Sequence, residues 1–280
     1  MEIIYNPVFD KLENDHLCVN VLRDFGAKVV SLRIKEKDME LLFQPSLGYY
    51  HLPEKHGDFA KFDTSGWDEC IPSIDVTSTI PDHGEIWSRQ WENQLGEDYI
   101  INRIELETLP LIFTRKLILL ENKLIAKYSV ENIGSEKVPF LWAQHGLYKI
   151  YPNMEMILPD NLVVQVDGPL DLPQNIKNIA DYTDTKAYKW YMDSLPENIV
   201  CGYLYKEYNL AWEMSFSGTK LPYLGCWINK GGFKGEYNIA LEPSNGYYDS
   251  LEKALENNRV QYIDSKEIIE FEINYEIKYL

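Results

Sequence analysis

The chain contains 280 residues, of which 45% are hydrophobic and 13% aromatic, so it is long enough for a large domain with a full core. Its 44 acidic and 27 basic residues give a net charge of −17, which argues against nucleic acid and anionic membranes as partners. No run of about 18 apolar residues predicts a membrane span, and no secretory signal is recognisable. We therefore expect a cytoplasmic protein.

The first half of the chain predicts β-strands, because apolar and β-branched residues alternate with polar ones between turn signals. Glu121-Asn122 separates two such runs and predicts the tip of a hairpin. Pro, Gly and His accumulate over 45–63, which predicts a loop. The predicted strands cover 16–22, 27–34, 39–44, 115–121, 123–131 and 138–148.

The second half contains an irregular stretch, a short helix and further strands. Residues 168–198 mix Pro, Asp, Asn and Tyr without a sustained period, so we expect a long excursion of the kind that can form a lid. Residues 249–257 predict a helix capped by Asp249. The predicted strands cover 199–205, 208–216, 221–229, 236–242 and 269–277, and the last alternates as a half-buried antiparallel strand does.

The order of these elements predicts the fold class. Many strands, few helices and no alternation of strands with helices indicate an all-β protein built as a large antiparallel β-sandwich. Neither an internal repeat nor a Gly/Ser linker divides the sequence. We expect a single domain over 1–280.

The segment 81–91, Pro-Asp-His-Gly-Glu-Ile-Trp-Ser-Arg-Gln-Trp, concentrates polar and aromatic groups. The imidazole of His83, the carboxylate of Glu85 and the guanidinium of Arg89 supply hydrogen-bond donors and acceptors, and the indoles supply flat apolar faces. A sugar has an apolar ring face and a rim of hydroxyls, which such groups can bind. A core Trp pair separated by a solvated polar loop explains the segment equally well.

Two further residues are candidates for acid–base chemistry. His145 is followed by Gly and surrounded by aromatic residues, although a core histidine bonded to a backbone carbonyl would look the same. Glu242 ends an apolar run, and a poorly solvated carboxylate there would have the tuned pKa of a general base. The alternative is a strand-end Glu in water, with Pro243 stopping the strand.

Metal and thiol chemistry are less well supported. Two His and a Glu that are far apart in the sequence could hold a metal ion. The chain has no short-range pair such as H-x-H or H-E-x-x-H, so we expect no metal, with that alternative left open. The cysteines form no C-x-x-C pair and show no zinc spacing, which predicts reduced thiols that mostly fill the core. These cysteines are Cys18, Cys70, Cys201 and Cys226.

Together, three stretches resemble the aldose 1-epimerase (galactose mutarotase-like) superfamily. The family pattern has an early His-Gly, a second His that ends a mid-chain strand, and a late Glu-Pro. The matching stretches here are His83-Gly84, His145-Gly-Leu-Tyr148 and Leu241-Glu-Pro243, in the same order. The resemblance covers the whole chain and implies the superfamily's large antiparallel sandwich.

The resemblance implies mutarotation, the interconversion of the α and β anomers of an aldose. Glu242 would accept the proton of the C1 hydroxyl, and a protonated His145 would donate to the ring oxygen. No cofactor is needed, and the expected partner is a small carbohydrate bound by a monomer or homodimer. The expected substrate-binding residues are His83, Arg89, Asp68, Glu69, Glu85, Trp67, Trp87 and Trp227, with a simple turn role for Asp68 weighed equally.

Three alternatives remain open from the sequence. The form Pro-x-His-Gly-x-x-x-x-Arg-x-Trp also resembles the branch that acts on hexose 6-phosphates, in which an Arg near the His-Gly contributes to phosphate binding, and Arg89 would take that place. A non-catalytic carbohydrate-binding or sugar-sensing protein could use the same fold. A different sugar isomerase or lyase could also use the same pocket.

Overall fold

In the computed structural model, which describes residues 7–45, 48, 50–160, 164–166, 171–183 and 185–280, most of the regular structure is β-strand. The strands are β1 (Phe9–Glu13), β2 (Leu17–Leu22), β3 (Val29–Ile34), β4 (Met39–Glu40), β5 (Trp67–Cys70), β6 (Glu92–Leu95), β7 (Tyr99–Glu105), β8 (Leu111–Leu120), β9 (Lys123–Asn132), β10 (Val138–Phe140), β11 (Ala143–Gly146), β12 (Tyr148–Lys149), β13 (Met154–Ile157), β14 (Val164–Gln165), β15 (Ala187–Met192), β16 (Asn198–Tyr205), β17 (Leu210–Ser217), β18 (Tyr223–Lys230), β19 (Tyr237–Ser244), β20 (Gln261–Ile263) and β21 (Ile268–Tyr279).

Helices are few and short among the described residues. The α-helix is α1 (Leu251–Glu256), and single 3-10 turns cover Lys35–Lys37, Phe59–Lys61, Ile179–Asp181 and Lys206–Tyr208. No helix in the described ranges has the length and apolarity needed to cross a membrane.

Two large antiparallel sheets organise the chain. An eleven-stranded sheet has the order β1-β2-β3-β5-β11-β19-β18-β15-β14, with β4 added to β3 and β12 added to β19. An eight-stranded sheet has the order β13-β16-β17-β21-β9-β8-β7-β6. The predicted all-β antiparallel sandwich is confirmed, and so is the predicted hairpin, because Glu121 and Asn122 form the two-residue turn between β8 and β9.

The main hydrophobic core lies between the two sheets. The indole of Trp67 on β5 contacts Tyr275 on β21 at 5.4 Å between ring centroids, and Gln144 on β11 donates to the same Tyr275 hydroxyl. The indole N–H of Trp212 on β17 donates to the hydroxyl of Tyr148 on β12 at 3.3 Å. Because successive side chains of a strand point to opposite faces, the neighbours of these residues along the larger sheet point away from the smaller one.

An ion pair is buried within this core. Arg115 Nη1 lies 3.2 Å from Glu69 Oε1, and both side chains are fully buried. The indole N–H groups of Trp67 and Trp142 each donate to Glu69 at 3.0 Å, and the Tyr128 hydroxyl donates at 3.3 Å. Desolvation nevertheless raises the pKa of Glu69 to about 7. The ion pair joins β5 to β8 across the sandwich, and the Tyr128 hydroxyl links β9 to the same carboxyl group.

Several predicted elements differ from the observed ones. The expected excursion over 168–198 contains the 3-10 turn Ile179–Asp181 and the strand β15, which pairs with β18 next to the edge strand β14 of the larger sheet. Residues 168–170 and 184 lie outside the described residues. Ser250, not Asp249, caps α1, because its side chain accepts from the Lys253 N–H. Strand β19 continues through Pro243 to Ser244, so Pro243 does not stop it.

The observed limits of two predicted strands also differ from the predicted ones. The predicted strand 39–44 is only β4 with an isolated bridge at Leu42, and 138–148 divides into β10, β11 and β12. The four cysteines are free thiols, and Cys70, Cys201 and Cys226 are buried, as predicted.

Candidate functional site

A cavity of about 330 Å³ opens on the face of the larger sheet that points away from the smaller one. Ligand pockets begin at about this size. The described residues that line it are Phe59, Ala60, Thr64, Ile74, Asp75, Asp82, His83, His145, Leu147, Lys189, Trp227, Phe233, Glu236, Asn238, Glu242 and Asp249.

Four adjacent strands of the sheet form the cavity floor. His145 lies on β11, Glu242 on β19, Trp227 on β18 and Lys189 on β15, and these strands are neighbours in that order. Alternation explains their shared face, because Gln144 and Leu241, the residues before His145 and Glu242, belong to the core side. Loops from other parts of the chain add His83 and Asp249 above this floor.

His145 and Glu242 form a pair of acid–base groups at the cavity floor. His145 Nε2 lies 3.7 Å from Glu242 Oε1, and the side chains are only 13% and 7% exposed. Desolvation raises the pKa of Glu242 to about 7, opposed by Lys189 and reinforced by Asp249. Burial lowers the pKa of His145 well below its usual value, and the electrostatic interactions with His83, Lys189 and Lys28 lower it further.

These pKa shifts change one sequence-based expectation. A protonated His145 was expected beside an ionised Glu242, each stabilising the other. In the free site the burial of His145 outweighs the attraction of Glu242, so the imidazole is neutral at neutral pH. Around pH 7 the proton of the pair is held by Glu242 instead.

His83 is held in an uncommon backbone conformation. Its φ is +61°, and the next residue, Gly84, has φ +75°. A Cβ at Gly84 would lie 2.3 Å from the Ile71 carbonyl oxygen, so this position requires glycine. Asp82 Oδ1 lies 2.9 Å from His83 Nδ1, and the imidazole stacks on Phe59 with 3.8 Å between centroids. The His83 ring is thereby placed edge to face with His145, at 4.8 Å between centroids.

Lys189 and Asp249 are among the lining residues that were not identified from the sequence as site residues. Lys189 Nζ lies 2.8 Å from Asp249 Oδ1, and the Tyr191 hydroxyl donates to the same oxygen. Lys189 was hidden in the presumed excursion, although Ala-Tyr-Lys-Trp-Tyr-Met over 187–192 has the aromatic content and alternation of a strand. Asp249 was assigned to the helix cap that Ser250 provides.

The opposite end of the cavity is aromatic and polar. The indole of Trp227 packs edge to face on Phe233 at 6.1 Å, and its N–H donates to Asn238 Oδ1 at 3.0 Å. The Asn238 amide donates to Glu236 at 3.4 Å, and the Thr64 hydroxyl donates to the same carboxylate at 3.1 Å. This end offers an apolar ring face next to hydrogen-bonding groups, as a bound sugar requires.

Arg89 and Glu85, expected to bind substrate, have other partners in the structure. Arg89 donates to the Glu105 carbonyl at 2.9 Å and lies 3.6 Å from Glu107. Glu85 is fully buried and accepts from the backbone N–H of Glu107 at 2.9 Å and from the Thr108 hydroxyl at 3.1 Å. The turn at Gly84 separates both residues from His83, so neither belongs to the described lining of the cavity.

The residues of β5 expected at the site also lie outside the described lining. Trp67 points into the core between the sheets, and Glu69 accepts its indole N–H there. Asp68 is buried against Lys28, with 2.9 Å between Oδ2 and Nζ. Trp87 is buried as well, and its N–H donates to the Asp82 carbonyl at 3.0 Å beneath His83. These four residues support the site from behind instead of lining it.

One group of potential metal ligands lies outside the cavity. His56, Glu85 and Glu107 have ligand atoms within 4.8 Å of one another. Glu107 already pairs with Lys55 at 2.7 Å and with Arg89 at 3.6 Å. These two cations oppose a metal ion there, so the group is better explained as an ion-pair cluster.

No protein-family model and no curated protein matches the chain, but solved structures match almost its full length. Slr1438 from Synechocystis sp. PCC 6803 is 15% identical, with a TM-score of 0.77 over 100% of this chain and 99% of that chain. A galactose mutarotase-like protein from Lactobacillus casei ATCC 334 is 14% identical, with a TM-score of 0.75 over 97% of this chain and 100% of that chain. A galactose mutarotase related enzyme from Lactobacillus acidophilus is 12% identical, with a TM-score of 0.72 over 97% of each chain. The chain therefore has the fold of the galactose mutarotase-like superfamily.

Proposed function

We propose that the protein is an aldose 1-epimerase, which interconverts the α and β anomers of a small sugar. The observation that carries the proposal is the pair formed by His145 and Glu242, 3.7 Å apart at the floor of a sugar-sized cavity. Mutarotation requires one group that accepts a proton and one that donates a proton, on opposite oxygens of the sugar. The fold of the solved relatives supports the same function.

The proton count of the pair fits this chemistry. With the pKa of Glu242 near 7 and that of His145 well below its usual value, the pair holds one proton just below neutral pH. The form with neutral His145 and protonated Glu242 and the form with the imidazolium and the carboxylate differ only in where that proton lies. Both are the same protonation state of a coupled pair, and either can supply one acid and one base.

The reaction follows from this single proton. In the expected roles the proton of the pair first moves from Glu242 to His145. Glu242 then takes the proton of the C1 hydroxyl while His145 gives its proton to the ring oxygen, and the bond between C1 and the ring oxygen breaks. The open-chain aldehyde rotates about the C1–C2 bond. Ring closure returns both protons and regenerates the pair. His83, held by Asp82 and stacked on Phe59, would bind a hydroxyl or the ring oxygen, and Trp227 would cover the apolar sugar face.

The charge of the cavity favours an unphosphorylated sugar. Its described lining carries four Asp or Glu side chains besides Glu242 and a single Lys or Arg side chain, Lys189, which Asp249 already neutralises. Arg89, the candidate phosphate ligand, bonds to Glu105 and Glu107. A phosphate dianion in this cavity would meet like charge, which costs binding free energy. We therefore propose a neutral aldose as substrate.

Anomer exchange measured by saturation-transfer NMR tests the proposal. We expect the protein to accelerate exchange of glucose or galactose and not of glucose 6-phosphate. Glu242→Gln should reduce the rate at least about 100-fold, because an amide cannot carry the proton. The matched control is Asn238→Asp, which alters a lining side chain about 13 Å along β19 and should change KM more than kcat.

The same experiment separates the competing functions. Sugar binding measured by calorimetry, with no exchange for any sugar, would replace the enzyme by a carbohydrate-binding protein. Products other than anomers in the NMR spectrum would indicate a different isomerase or a lyase. Faster exchange of glucose 6-phosphate than of glucose would refute the argument from cavity charge.

A further inference from the structure

The ion pair of Lys189 and Asp249 lies beside the proposed catalytic residues without an assigned role. Both side chains line the cavity, and their charged atoms are 2.8 Å apart. They are 29% and 13% exposed, so solvent screens the pair only partly. We propose that Lys189 and Asp249 are positioning residues that act on the ionisation of the Glu242 carboxyl in opposite directions. Lys189 favours the carboxylate, and Asp249 favours the protonated acid. This inference rests on the proposed function, because it assigns Glu242 to the proton-transfer step.

The sheet holds Lys189 close to Glu242. Lys189 on β15 is the register partner of Trp227 on β18, and Gly225 on β18 is the register partner of Glu242 on β19. The two charged residues are thus separated by one intervening strand and a stagger of two residues, on the same face. A Cβ at Gly225 would lie 3.2 Å from Glu242 Oε2 and 3.1 Å from Tyr191 Cε1, so the glycine lets both side chains pack closely against β18.

Asp249 is fixed more firmly than a surface loop residue. Its carbonyl accepts the backbone N–H groups of both Ile74 and Asp75 at 2.9 Å. Its φ is +30°, a left-handed conformation that costs free energy and is typical of functional sites. The Tyr191 hydroxyl and Lys189 bond to the same Asp249 oxygen. The carboxylate can therefore keep Lys189 in place above the cavity floor.

The charges act on Glu242 in opposite directions. Lys189 favours the carboxylate and lowers the pKa of Glu242, whereas Asp249 raises that pKa. Among the described residues, the titratable groups that interact with Glu242 are His83, His145, Lys189, Asp249, Tyr191, the thiol of Cys70 and, from the core side of β18, the thiol of Cys226. The pKa values of Tyr191 and both thiols are raised well above their usual values, so these three stay neutral near pH 7.

Substitutions of the two residues should shift the Glu242 titration in opposite directions. Lys189→Met should move its midpoint up by about one pH unit, and Asp249→Asn should move it down by a similar amount. Because Lys189 has the larger effect of the two, the double variant should lie between the single variants and slightly above the unchanged protein. Lys189→Arg should restore the original midpoint. Lys127→Met, which removes an exposed charge on β9, is the control and should leave it unchanged.

The titration is measured by ¹³C NMR of protein labelled at the glutamate carboxyl carbon, and Glu242→Gln identifies the Glu242 signal. The alkaline limb of the pH profile of kcat/KM for anomer exchange is the second measurement. Opposite shifts in the NMR midpoints support the inference even if no sugar is turned over, in which case only the proposed function fails. If the protein is active but both single variants leave the midpoint of the Glu242 titration unchanged, the inference is overturned and the proposed function stands. Circular dichroism establishes that each variant is folded.

Discussion

The glycine after His83 provides a sharp test of how the site is built. Gly84 has φ +75°, and a Cβ added at this residue would lie 2.3 Å from the Ile71 carbonyl oxygen, whereas ordinary van der Waals contact begins at 3.4 Å. Gly84→Ala therefore requires a displacement of about 1.1 Å, the difference of these distances. Such a displacement would also break the bond from the Glu85 N–H to the Ile71 carbonyl, now 3.2 Å long.

The expected cost combines three contributions. The left-handed conformation costs an alanine about 1 kcal/mol, the lost hydrogen bond about 1 kcal/mol, and the remaining steric strain about 1 kcal/mol or more. We expect Gly84→Ala to lower the free energy of unfolding by about 3 kcal/mol. Urea denaturation followed by tryptophan fluorescence measures this change through the midpoint and the slope.

Gly235→Ala is the matched control. Gly235 has φ +69°, but a Cβ there would meet no atom within 4 Å. Its substitution isolates the conformational cost, so we expect a loss of about 1 kcal/mol. Equal destabilisation by the two substitutions would refute the steric explanation. It would leave the close approach of Gly84 to Ile71 without energetic consequence.

Three more predictions concern the site and the core. kcat/KM for anomer exchange should fall as pH rises above about 7, because the proton of the His145–Glu242 pair is held on Glu242 with a pKa near 7 and is lost above it; a profile that instead rises through pH 7 would contradict the one-proton mechanism. Trp227→Ala should raise KM about tenfold with little change in kcat, because ring stacking contributes to binding in both ground and transition states. Steady-state kinetics measure both constants, and a decrease in kcat with KM unchanged would contradict this prediction. Glu69→Ala should lower the free energy of unfolding by about 4 kcal/mol by leaving Arg115 buried without its counter-charge, and a loss below about 1 kcal/mol in urea denaturation would contradict this.

The sequence predicted the fold, and four of the residues that it singled out, His83, His145, Trp227 and Glu242, line the cavity. Alternation of apolar and polar residues is a direct consequence of a sheet with one buried face, so strands such as β9 and β21 could be recognised locally. His83, His145 and Glu242 stand far apart in the chain, and only the family pattern indicated that they meet. Their shared location in the structure follows from the neighbouring positions of β11 and β19.

The remaining site residues depended on information that is absent from local sequence. Adjacent residues of a strand point to opposite faces, so Trp67 and Glu69 face the core while the residue between them faces away, and composition does not reveal which side carries the cavity. Arg89 was expected at the site from its distance to His83 along the chain, but the turn at Gly84 directs it to Glu105. The pairing of β15 with β18 brings Lys189 to the cavity floor, and Asp249 is identified by its ion pair with Lys189.

The order of strands explains why one proton resides on the proposed catalytic pair. Along the larger sheet, His145 and Glu242 occupy β11 and β19, with Lys28 and Asp68 on one side and Lys189 and Asp249 on the other. Each lysine is paired with nearby acidic side chains, Lys28 also with Asp63 at 3.4 Å. The two lysines still lie close enough to oppose an imidazolium at His145, as its lowered pKa shows. The carboxyl of Glu242, desolvated by burial, is then the group whose proton affinity matches neutral pH. A sheet that places two Lys–Asp pairs around one His–Glu pair can therefore hold a single exchangeable proton without a metal ion.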